Sequence, residues 1–185
     1  MPSHRVHAEL STLVGLFYGS LADLGVFEVA NVKVVPEPYR GLLVHNHHMT
    51  VTMEEFHRSQ VRVQVLEAKR ERSYYMRRIL LARESDQRVV QFGIVRLDFD
   101  LLSPEVREEI ESQKMPLGRI LIEHNVLREI ELVGLWRVTP GVDLCKLFTM
   151  TPQQTTYGRT AIIHCDGQPA VELLEIAAPL AHGQM

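Results

Sequence analysis

Residues 158–177, GRTAIIHCDGQPAVELLEIA, decide the fold. Two largely apolar runs, 158–164 and 168–177, flank Cys165-Asp166-Gly167. Asp-Gly between such runs is a strong signal for a tight antiparallel hairpin. Along the second run, Val171, Leu173, Glu175 and Ala177 share one face, and Glu172, Leu174 and Ile176 share the other. Glu175 is therefore a carboxyl group set among small apolar neighbours.

Further strands lie upstream. Val61, Val63 and Val65 alternate with Arg62, Gln64 and Leu66, a period of two. Runs 73–82 and 88–99 follow, separated by the polar turn Glu84-Ser85-Asp86-Gln87, and 128–138 reads as one more strand. Helical signals sit between and before them. Leu10, Leu13, Val14, Phe17, Leu21 and Leu24 form one helical stripe that stops at Gly25. Short helices are expected over 39–44 and 49–58. Ser103 before Pro104, Glu105 and Val106 starts a helix ending near Gln113, and another follows Pro116-Leu117-Gly118. The connection 141–156 carries little signal. Without repeats, low-complexity tracts or linkers, residues 1–185 read as one α+β domain: a meandering antiparallel sheet with helices gathered on one side.

Bulk composition narrows the function. A net charge of −3 gives no field that favours nucleic acid or an anionic membrane, so an anion site must be local. No apolar run approaches the roughly 20 residues of a membrane span. The opening Met1-Pro2-Ser3-His4-Arg5 lacks the apolar stretch of a signal peptide, and two cysteines suit a reducing compartment. The expectation is a cytoplasmic protein.

Several residues invite a chemical reading. Glu175, on a buried face, is a candidate for a raised pKa and for proton exchange with a substrate oxygen, or else a strand-end glutamate in water or in an ion pair. Arg77 shares a strand face with Tyr75 and Ile79, and Arg78 faces the other way with Met76 and Leu80. One of the two arginines must point to the more apolar side. A buried guanidinium requires an anion, either a ligand carboxylate or Glu175 itself. Free N–H groups after Pro116 can receive a carboxylate, or simply begin a helix. The cluster His45-Asn46-His47-His48, with Glu54 and His57, matches no zinc spacing, so no metal is expected. His164 and Cys165 are adjacent in a strand and face opposite ways, which argues against a thiol nucleophile.

Taken in order, four segments resemble the chorismate pyruvate-lyase family. They are His48-Met49-Thr50, Ser73-Tyr74-Tyr75-Met76-Arg77-Arg78-Ile79-Leu80-Leu81, Met115-Pro116-Leu117-Gly118-Arg119-Ile120-Leu121, and Gly167-Gln168-Pro169 through Glu175 to Pro179. The resemblance covers roughly 38–179 and leaves 1–36 as an N-terminal helical extension. It implies a sheet of about six strands with helices forming flaps over an internal ligand cavity. It also implies a cofactor-free conversion of chorismate to 4-hydroxybenzoate and pyruvate. In that scheme Arg77 and the Leu117 amide hold the ring carboxylate, Glu175 acts as acid or base, and Met49 contributes from a flap. Between Pro169 and Glu175 this chain has one residue more than the compact members, which implies a bulge or a changed register. The alternative is a non-catalytic domain of the same fold that senses a small carboxylate or aromatic effector.

Overall fold

The computed structural model describes residues 8–126 and 128–180. Seven strands form one antiparallel sheet in the order β1-β5-β6-β7-β4-β3-β2. They are β1 (Gly25–Val29), β2 (Val61–Glu71), β3 (Tyr74–Arg83), β4 (Val89–Asp98), β5 (Arg128–Pro140), β6 (Thr156–Cys165) and β7 (Gln168–Ala177). The order is two three-strand meanders, β2-β3-β4 and β5-β6-β7, joined where β4 pairs with β7. The β6–β7 hairpin turns at Asp166 and Gly167, both with positive φ (50° and 79°), as a two-residue turn of matching twist requires.

About six strands were expected, and the seventh is β1. The apolar stripe of 10–24 does not form one helix. It splits into α1 (Leu10–Gly15) and α2 (Leu21–Leu24). Ser20 and Asp23 form a capping box that restarts the chain at α2. Gly25 then opens a strand instead of only ending a helix. A Cβ there would stand 2.5 Å from the Thr139 carbonyl oxygen, so only glycine allows β1 to lie so close to β5.

The middle helices are α3 (Tyr39–Leu43), α4 (Met49–His57), α5 (Pro104–Glu111) and α6 (Leu117–Glu123). Ser103 caps α5, its Oγ accepting from the Val106 N–H at 3.4 Å. These four helices cover one sheet face, where Val106, Ile110, Leu117, Ile120, Leu43 and Met53 pack on the strands. The expected one-sided arrangement holds for them, but a second layer exists. α1, α2 and α7 (Val142–Phe148, within the connection that sequence left unread) pack on the opposite face. The reason lies in β4 and β7, whose central residues are buried on both sides. Phe92, Ile94, Leu174 and Ile176 require a cover of their own, and Leu13, Leu24 and Leu144 supply it.

Candidate functional site

The face under α3–α6 is ordered by strand register into three rungs, two residues or about 7 Å apart. One rung crosses Arg77, Val95, Leu173 and Ala161. The next crosses Ile79, Gly93, Glu175 and Arg159, and the third crosses Leu81, Gln91 and Ala177. Above them stand His48 and Met49 at the start of α4, and Pro116, Leu117 and Gly118 at the start of α6. Together they line a cavity of about 40 Å³; that holds only a few water molecules, so a small organic ligand enters only as the α4–α6 roof lifts. Met49, Arg77, Leu117 and Glu175, which sequence singled out from four distant segments, all line it. The extra residue after Pro169 is absorbed by a register shift between Ile163 and His164 of β6, which leaves Glu175 on the cavity face.

Arg159 is the residue that sequence reasoning missed. It is fully buried (0% exposed) and its Nε donates to Glu175 Oε2 at 2.7 Å. Its Nη1 donates to the carbonyls of Leu43 (3.3 Å) and His45 (3.0 Å), and its Nη2 to that of His47 (3.4 Å). The histidine-rich segment thus supplies backbone oxygens that wrap a cation. Glu175, 7% exposed, is correspondingly a member of a buried ion pair and not an acid isolated among apolar groups. The signal available in sequence was the alternation in 158–164, which sets Arg159 on the face of Ala161 and Ile163.

Arg77 stands in contrast. It is 1% exposed, and no carboxylate lies within ion-pair distance of it among the described residues. Its Nη1 reaches the Ile110 carbonyl only at 3.5 Å, and its Nε meets no acceptor. Burial pulls its pKa below the ordinary arginine value, and the neighbouring Tyr75 phenol offsets part of this. The open choice between the two arginines is settled: Arg78 faces the other side of the sheet, where Nη1 donates to Tyr18 (2.8 Å) and Asp143 (3.0 Å).

Five buried side-chain polar atoms lack a protein partner among the described residues. Three of them, Arg77 Nε, Gln91 Oε1 and His48 Nε2, belong to residues lining this cavity. Burial first, then Arg128, Arg159 and His47, lower the His48 pKa to about 4, so the ring is neutral at pH 7.

The roof is tied together. Arg119 of α6 forms an ion pair with Glu54 of α4. A Cβ on Gly118 would come within 3.1 Å of both His48 Cβ and Thr50 Oγ1, so a residue without a side chain lets the two helix starts meet. Among the described residues no three His, Cys, Asp or Glu side chains gather as a metal set. Cys165 is buried away from His164, and burial raises its thiol pKa to about 11, which does not suit a nucleophile. No helix among the described residues is long and apolar enough to cross a membrane.

No family model matches the chain, and no curated protein matches it. Solved structures do. The effector domain of PhnF from Mycobacterium smegmatis superposes at TM-score 0.52 and 8% identity, covering 71% of this chain and 88% of that domain. PhnF from the same organism gives TM-score 0.50 and 9% identity, covering 70% of this chain and 62% of that one. A GntR-family transcriptional regulator from Bacillus cereus gives 0.46 and 11% over 65% and 93%. The chain thus spans about three-fifths of the longer PhnF chain. At these identities the likeness is one of fold.

Proposed function

We propose that this chain is a small-molecule-binding domain whose cavity takes a small, singly charged anion, with a carboxylate seated on Arg77. The observation that carries this reading is the Arg77 guanidinium, fully buried, facing the cavity and without an anionic partner among the described residues. A buried cation is costly until it is paired, and a planar carboxylate pairs with it through two parallel hydrogen bonds. The charge count sets the ligand's valence. Arg159 and Glu175 cancel, His48 is neutral, and one positive charge is left. The Leu117 N–H, at the start of α6 beside the cavity, is a second donor for the same carboxylate, and Met49 covers the ligand's apolar body. The fold shared with the effector domain of PhnF supports a sensing role over catalysis.

The test is thermal unfolding with a panel of small carboxylates that includes 4-hydroxybenzoate. A ligand at 100 times its Kd stabilises by about 2.7 kcal/mol. Stabilisation of the wild type that vanishes in Arg77→Met is the expected result. A panel that leaves the wild-type midpoint unmoved would overturn the reading.

The second reading is the lyase, in which Glu175 exchanges protons with chorismate as 4-hydroxybenzoate and pyruvate leave. Its support is that Glu175 and Arg77 line one cavity on neighbouring rungs. Two features weigh against it: chorismate brings two carboxylates to a cavity with one unpaired cation, and Glu175 is engaged by Arg159. Mixing the protein with chorismate decides it. Equimolar 4-hydroxybenzoate and pyruvate above the uncatalysed blank, lost in Arg77→Met, would restore the enzyme.

A further inference from the structure

Gln91 lies two rungs from Arg77, four strand residues or about 13 Å along the sheet. It is 3% exposed, it faces the cavity, and its Oε1 meets no protein partner among the described residues. Buried amides are normally satisfied, so one left open beside a cavity marks a contact made by something else. Its rung is otherwise apolar, with Leu81 on one side and Ala177 on the other. The rung between carries the Arg159–Glu175 pair, whose charges already cancel. The cavity therefore has a cationic end at Arg77 and an uncharged polar end at Gln91. Val95 and Leu173 give the Arg77 end apolar walls, and Ile79 and Gly93 lie between the two ends.

We infer that Gln91 is a specificity-determining residue that reads an uncharged hydrogen-bonding group, a hydroxyl or carboxamide, at the end of the ligand remote from its anionic group. This rests on the anion-binding reading above and names the ligand class more closely: a monocarboxylate with an apolar middle and a neutral polar tip. A primary amide both donates and accepts, which matches a hydroxyl. A second carboxylate at that end would find no cation on the Gln91 rung and is selected against.

The experiment is calorimetric titration with two matched pairs, hexanoate with 6-hydroxyhexanoate and benzoate with 4-hydroxybenzoate. The proteins are the wild type, Gln91→Met and Arg77→Met, with Gln91→Leu as a second apolar variant should the first fold poorly. In at least one pair the hydroxyl is expected to tighten wild-type binding about tenfold. Gln91→Met should erase that gain and leave the plain carboxylate within about twofold, whereas Arg77→Met should weaken every ligand. If the carboxylates bind through Arg77 but the hydroxyl adds nothing, or its gain survives loss of the amide, the assignment of Gln91 is wrong and the anion site stands. If no carboxylate binds the wild type, the anion site falls and Gln91 falls with it.

Discussion

Arg77 and Arg159 are both buried arginines on neighbouring rungs of one sheet face, yet their surroundings are opposite. Arg159 is paired with a carboxylate and donates to three backbone carbonyls. Arg77 has a marginal hydrogen bond to the Ile110 carbonyl, the uncharged Tyr75 phenol beside it, and an open Nε. The first arginine is structural: it ties the 43–47 segment to β6 and β7. The second costs stability as it stands and recovers that cost when an anion arrives. Burial alone would not distinguish them, whereas the set of hydrogen-bond partners does.

The contrast predicts opposite effects from the same substitution. Arg159→Met strands the Glu175 carboxylate in the interior, and losing one member of a buried pair costs about 3–5 kcal/mol. Urea unfolding should show this, and adding Glu175→Gln should recover a large part. A loss below about 1 kcal/mol would mean that the pair is not structural. Arg77→Met should instead leave stability unchanged or raise it, by up to about 3 kcal/mol, because it removes an unpaired buried cation. A clear loss of stability in that variant, without ligand, would erase the distinction between the two arginines.

A smaller effect separates the cavity's neutral polar groups from its charged ones. In the folded chain burial lowers the His48 pKa to about 4, against the ordinary 6.5. Between those values the unfolded chain binds the proton and the folded chain does not. Stability is therefore full above pH 6.5 and falls as pH drops toward 4, by roughly 2 kcal/mol at pH 4.5 from this ring. His57, lowered to about 4 chiefly by burial, acts in the same direction. His48→Gln should flatten part of the decline between pH 6.5 and 4.5. An unchanged slope would show that His48 is solvated and not held neutral under the roof.

Much of this was legible in the sequence, for identifiable reasons. The Asp166-Gly167 turn, the alternation of β2 and the Ser103-Pro104 helix start are local signals that the fold respects. β1 was not legible, because five residues, Gly25–Val29, carry no pattern of their own and become a strand only by pairing with β5. Four cavity residues could be named because their segments have recognisable order. Arg159 escaped because its role depends on which carboxylate it meets across β6 and β7 and on carbonyls more than 110 positions away. Gln91 escaped for the opposite reason: its significance is the partner it lacks, which no spacing encodes.

The smallest predicted effect bears on how tightly the roof closes over both arginines. Gly118 lets α6 approach α4, and a methyl group there meets His48 Cβ and Thr50 Oγ1 at 3.1 Å. Neither neighbour is the free end of a flexible chain, so the α6 start must shift by a few tenths of an ångström. Overpacking of this kind costs about 1–2 kcal/mol. Leu117 precedes Gly118 and lines the same cavity as Arg77, so the shift also moves its N–H relative to the ligand carboxylate. Gly118→Ala should therefore lower ligand affinity in a protein that keeps Arg77, and should change nothing further in the Arg77→Met background, where that carboxylate is no longer anchored. A double-mutant cycle on the two positions measures this. A coupling energy near zero would place Gly118 in the packing of the roof alone, and a coupling of about 1 kcal/mol would tie the closure of α6 on α4 to the anion that Arg77 awaits.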